Sequence, residues 1–123
     1  MNTTERLTNL KKQARERNAK CNANKDNLIQ DVGNQLLDLV EKWFDENPDH
    51  FVKNIQIKHT VSADILDSFA KAIGYNCTNQ ADKVITVFRC YLAAALCASE
   101  SDVLIKLVED KLDLTYYFNL SAE

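Results

Sequence analysis

Two histidines, four cysteines and eighteen carboxylates are the side chains of this 123-residue chain that could hold a metal ion or move a proton. His50 and His59 lie nine residues apart in the least regular stretch, with no Cys-x-x-Cys, His-Glu-x-x-His or Asp-x-Asp pattern beside them. A metal ion needs three or four donors converging at fixed spacing, and that spacing is missing. Cys90 and Cys97 share a helical face, but seven residues of helix separate them by roughly 10 Å, beyond the reach of a disulfide. With Cys21 and Cys77, they read as free, buried thiols. Glycine occurs only at Gly33 and Gly74, so a glycine-rich phosphate loop cannot be assembled locally, and no G-x-S-x-G elbow is present. Carboxylates on helix surfaces read as solvated faces. The chain is therefore expected to carry no catalytic residue, no metal ligand and no cofactor site, and to be no enzyme.

The elements that position these side chains follow from periodicity. The run Gln80 to Ala98, QADKVITVFRCYLAAALCA, becomes apolar almost all round after its first turn, the mark of a buried helix. Asn27 to Glu46 sets Leu28, Val32, Leu36, Leu39 and Trp43 on one side and Asp31, Asp38 and Asp45 on the other, an amphipathic helix with an acidic back. Gly33 sits inside it at a cost of about 1 kcal/mol relative to alanine, which close approach of another helix would offset. Asn47-Pro48 ends that helix, and residues 50–59 read as a short helix followed by an extended connector. Thr60 or Ser62 caps a helix from Ala63 to Ile73, which Gly74 stops. Thr78 or Asn79 caps the buried helix. Ser99 and Asp102 resemble a capping box for a last helix with Val103, Leu104, Leu107, Val108 and Leu112 inward. With one proline and two glycines to make turns, the sequence predicts an all-α protein: an irregular bundle of five or six helices around a central buried helix at about 80–98.

Charge is unevenly placed. Residues 1–27 hold seven basic side chains against three acidic ones, a net +4, so the other 96 residues carry −7 of the overall −3. Residues 1–26 read as a basic, polar N-terminal arm or loosely docked helix with a thin stripe of Leu7, Leu10 and Ala14, and residues 27–123 as a single helical domain. The N-terminus has no apolar segment of the secretory kind, and a cytoplasmic location is expected.

Helix, Gly74, short turn, helix is the skeleton of a helix-turn-helix, and FAKAIGYN resembles the first half of that motif in small repressors. The resemblance covers about eight residues and implies DNA binding through the following helix. There only Asn79, Gln80, Asp82, Lys83, Thr86 and Arg89 could face solvent, and a recognition helix needs a polar face. The leading expectation is instead a protein-binding module, of the inhibitor or immunity type, that neutralises a basic partner such as a toxin nuclease through an acidic surface. Its candidate contact residues are Asp38, Glu41 and Asp45, together with Glu109, Asp110 and Asp113 and the neighbouring Tyr116 and Tyr117. The alternative is a nucleic-acid-associated regulator of the phage or plasmid type that uses the basic arm on phosphates.

Overall fold

The computed structural model describes residues 2–120, and of Cys77 only the backbone. Three helices and one antiparallel sheet follow in the order α1 (Thr3–Glu46), β1 (Asn54–Ser62), α2 (Asp64–Ile73), α3 (Cys77–Ala95), a single 3-10 turn (Glu100–Asp102), β2 (Val103–Val108) and β3 (Lys111–Asn119). The sheet order is β1-β3-β2. The expected all-α bundle of five or six helices is thus overturned: the protein is α+β, with its helices on one face of a three-stranded sheet.

Helix α1 runs unbroken for 44 residues, about 66 Å at 1.5 Å per residue. Its second half buries Ile29, Val32, Gly33, Leu36 and Val40, whereas every residue from Thr3 to Lys20 is exposed. An isolated helix of such polar composition is marginal in water, because nucleation is costly. Here the docked half supplies the nucleus, so the arm has only to propagate. Its first turn is closed by Asn2, whose Oδ1 accepts from the Glu5 amide at 2.8 Å. At the other end the Asn47 side chain donates to the Trp43 carbonyl at 2.9 Å, and Pro48 follows. Residues 50–53 do not form the short helix expected there. The extended segment instead becomes the nine-residue β1, with Ile55, Ile57 and Val61 buried and Gln56, Lys58, Thr60 and Ser62 exposed.

The run at 80–98 is not a central buried helix. α3 buries Val84, Phe88, Leu92 and Ala93 but exposes Asp82, Lys83, Thr86 and Tyr91. The core is shared: α2 contributes Leu66, Phe69 and Ala70, and the Phe69 and Phe88 rings meet edge to face at 5.0 Å. Gly74 ends α2 with φ 79°, the left-handed stop its sequence called for. α3 ends without glycine. Cys97 takes φ 51°, and the Ala98 and Cys97 amides bond back to the Ala93 and Ala94 carbonyls at 2.9 and 3.1 Å, a Schellman closure with cysteine in the glycine position.

The predicted last helix is a β-hairpin. Ser99 does cap, accepting from the Ser101 amide at 3.4 Å, but a single 3-10 turn follows and the chain then extends. Val108 pairs with Lys111 across a two-residue turn in which Glu109 has φ 58°. β3 lies at the centre, its inward Leu112, Leu114 and Tyr116 opposite Val61, His59 and Ile57 on β1 and Leu107, Ile105 and Val103 on β2.

Candidate functional site

The two acidic groups do not share a surface. Asp38, Glu41 and Asp45 are exposed on the back of α1. That helix lies on the inner side of the sheet: Gln35 meets His59 at 2.7 Å, and the Phe44 ring meets Phe118 at 6.0 Å. Asp113 belongs to the outer side, where it accepts from the Thr60 hydroxyl at 3.1 Å and stands opposite Lys106. Glu109 and Asp110 form the hairpin turn, and the Asp110 carbonyl receives the Ala63 amide at 2.9 Å. The two tyrosines point in opposite directions. Tyr116 is 5% exposed and belongs to the core, so it offers nothing to a partner, while Tyr117 lies on the outer face and receives the Gln56 amide group at 3.2 Å.

The groups that could do chemistry remain scattered. His50 stacks edge to face on Trp43 at 5.3 Å, and His59 bonds Gln35. Among the described residues no three metal-ligating side chains converge. Cys21, Cys90 and Cys97 are free, but the expectation that they are buried fails: Cys21 and Cys90 are half-buried and Cys97 is exposed. The Cys77 side chain lies outside the described residues. The Cys90 thiol donates to the Glu100 carboxylate at 3.0 Å. That bond, then burial, then the carboxylate charge push its pKa up, the opposite of what an activated nucleophile needs. Burial likewise raises the Tyr116 phenol. Among the described residues no helix is long and apolar enough to cross a membrane.

What the fold does bring together is a pair of helices joined by a tight turn. α2 and α3 are joined by three residues, Gly74 to Asn76, and α3 begins with a side-chain cap, Asn76 Oδ1 accepting from the Thr78 amide at 3.0 Å. In return the Gln80 side chain accepts from the Asn76 amide at 2.9 Å. Past that cap, Asn79, Asp82, Lys83 and Thr86 are all exposed. Gln80, with φ −132° and ψ 27°, kinks the helix between Asn79 and the rest; past the kink Asp82, Lys83 and Thr86 share one face. The sequence held this signal. The apolar second half of the run, where Leu92 and Ala93 face the body, made these residues look too few for a recognition face.

The second assembled feature is the arm. Arg6, Lys11, Lys12, Arg15, Arg17 and Lys20 stand on the exposed part of α1, and none has an ion pair among the described residues; the two pairs found there are Lys25 with Asp26 and Lys42 with Glu46, both at 3.8 Å. Near the body, Lys25 Nζ lies 4.4 Å from the centre of the Tyr91 ring. No protein-family model, no curated protein and no solved structure matches the chain.

Proposed function

We propose that this is a non-enzymatic DNA-binding regulator in which the start of α3 enters the major groove and the cations of the arm hold phosphates. The observation that supports it most is the exposed face of Asp82, Lys83 and Thr86, with Asn79 exposed just ahead of the kink at Gln80, on the second of two helices joined by a three-residue turn. Residues at the N-terminal end of such a helix reach base edges, where asparagine suits adenine and lysine suits guanine. The hairpin turn, with Glu109 and Asp110, is not part of the contact. The acidic body gains nothing from phosphate, so affinity rests on the arm.

The inhibitor reading ranks second because its two acidic groups do not add up to one surface: α1 and Asp113 lie on opposite sides of the sheet. It retains the exposed back of α1, with Asp38, Glu41 and Asp45 in a line.

The test is selection of duplexes from a randomised DNA library by the full chain. Convergence on a motif is expected. Asn79→Ala or Lys83→Ala should each relax one position of that motif at a cost of about 1–3 kcal/mol. Lys11→Ala with Lys12→Ala and Arg15→Ala should weaken binding to all sequences alike and flatten its salt dependence. Failure to retain duplex DNA at about 0.1 M salt would overturn the proposal, and capture of a basic protein lost on reversing Asp38, Glu41 and Asp45 would restore the inhibitor reading.

A further inference from the structure

The half of α1 that touches the body buries one side only, and the arm is exposed on every side, so one solvent-facing strip runs the length of the helix. At about 100° per residue, positions 6, 13, 17, 20, 24, 27, 31, 34, 38 and 45 fall on this strip, opposite the buried Ile29, Gly33, Leu36 and Val40; Asn9, Glu16 and Lys42 share its angles, as does Gln35 at the edge where it bonds His59. All ten are exposed and all are polar.

Their spacing is palindromic about the point between residues 25 and 26, and their charge is divided there, basic before it and acidic after it. Read forward from Arg6 or backward from Asp45, the intervals are the same; Arg6 and Lys20 answer to Asp45 and Asp31, while Arg17 and Asp38 answer to the neutral Asn34 and Gln13. Residues 3–27 of the helix carry net +4 and residues 28–46 net −4. A second α1 laid antiparallel on the strip sets Arg6 against Asp45 of the second copy, and Lys20 against its Asp31. Gln13 then meets Asp38, Arg17 meets Asn34, and at the centre Asn24 meets Asn27. Glu16 falls opposite Gln35 and Lys42 opposite Asn9, so no like charges meet directly, and the two-fold axis repeats every contact. A parallel pairing would place Arg6 on Arg6 and Asp45 on Asp45. Pairing the arms alone would set +4 against +4.

We infer that the solvent-facing strip of α1 is a dimer interface, occupied by the same strip of a second copy lying antiparallel, each basic half covering the other's acidic half. The body hangs from the opposite side of the helix, so the two bodies stand on the outside of the helix pair and do not meet. Lys11, Lys12 and Arg15 point away from the strip and stay free for phosphate. The inference goes beyond the DNA-binding reading and is tested without DNA.

A polar seam of exposed ion pairs has little apolar area to drive it, so its strength depends on ionic strength, the Debye length falling from about 10 Å at 0.1 M to about 3 Å at 1 M. Sedimentation velocity on the full chain should find a species of twice the chain mass at the lower salt, with a dissociation constant at least about tenfold weaker at the higher. Arg6→Asp with Lys20→Asp should give a monomer, because its self-pairing would set carboxylate against carboxylate at all four sites. Asp31→Lys with Asp45→Arg should do the same. An equimolar mixture of the two reversed chains should recover a dimer. Far-ultraviolet circular dichroism checks that both variants keep the fold, which is expected because every altered residue is exposed. A wild-type monomer at about 0.1 M salt, reversed chains that self-associate like the wild type, or a mixture that stays monomeric would each overturn the inference.

Discussion

Gly33 is buried in the interior of α1 against α3, and replacing it by alanine tests whether the helices there are in contact or merely close. A Cβ built on Gly33 would sit 3.8 Å from Leu92 Cδ1 and 3.9 Å from Leu96 Cδ2, ordinary van der Waals distances to the tips of two flexible side chains. Alanine in a helix interior is favoured over glycine by about 0.8–1.0 kcal/mol. The new methyl is enclosed, and burying one such group contributes up to about 0.8 kcal/mol. Gly33→Ala should therefore stabilise the fold by about 1–2 kcal/mol, a rise in melting temperature of roughly 3–8 °C for a chain of this length. Urea unfolding followed by circular dichroism reads the change, with the midpoint moving up and the slope unchanged. Gly33→Leu is the contrasting case: the added branch has to displace Leu92 and Leu96, and overpacking of that kind costs about 1–3 kcal/mol. A lower midpoint for Gly33→Ala would refute the reasoning, because it would mean that α3 approaches α1 closely enough to require glycine.

Cys97 holds the left-handed position after α3 at φ 51°, so Cys97→Gly should raise stability by about 0.5–1 kcal/mol, the relief of strain outweighing the greater freedom glycine has when unfolded; urea unfolding of the reduced proteins measures it. Glu109 at φ 58° in the hairpin turn predicts a gain of the same order for Glu109→Gly, read by the same assay. Burial raises the Tyr116 phenol, so its share of stability is complete below the ordinary tyrosine pKa of about 10 and is lost as pH climbs through the higher folded value. Tyr116→Phe should flatten that alkaline decline, leaving the part due to Cys90, which is raised in the same direction. Because the hydrogen bond to Glu100 is the largest cause of the Cys90 shift, Glu100→Gln should bring forward, on the pH axis, the iodoacetamide labelling of that thiol; an unchanged pH profile would assign the shift to burial instead.

The helical parts of the fold were legible where one face was apolar and the other charged. Val32, Leu36 and Val40 opposite Asp31, Asp38 and Asp45 marked α1, and Gly74 marked the end of α2 by the one conformation it supplies without strain. The hairpin was not legible from its first strand. Val103, Leu104, Leu107 and Val108 fit a helical spacing, and the turn at Glu109 lacks the glycine or asparagine that announces one. The partner strand did show it: Leu112, Leu114, Tyr116 and Phe118 alternate without a break, a period-two signal that only β3 between two neighbours satisfies. The residues of the candidate site were named from the sequence but weighed too lightly, for a different reason. Periodicity averaged over Gln80 to Ala98 mixes a first half with a polar face and a second half wrapped by the body, and the average looks buried throughout.

On the proposed DNA-binding reading, the division of charge sets how the protein would meet DNA. A body of net −7 is repelled by phosphate, and a basic helix projecting about 27 Å beyond it is attracted. On that reading the arm would arrive first, and the repulsion of the body would let α3 approach only where base contacts repay it. Non-specific binding should be weak for a helix-turn-helix protein, and the ratio of specific to non-specific affinity correspondingly high. Adding lysines to the body shifts this balance. Asp64→Lys with Asp67→Lys, both exposed on the first turns of α2, should tighten binding to random duplex more than binding to a selected motif. Anisotropy titrations of the two duplexes measure the ratio. An equal gain for both would show that the body stands too far from the phosphates for its charge to discriminate.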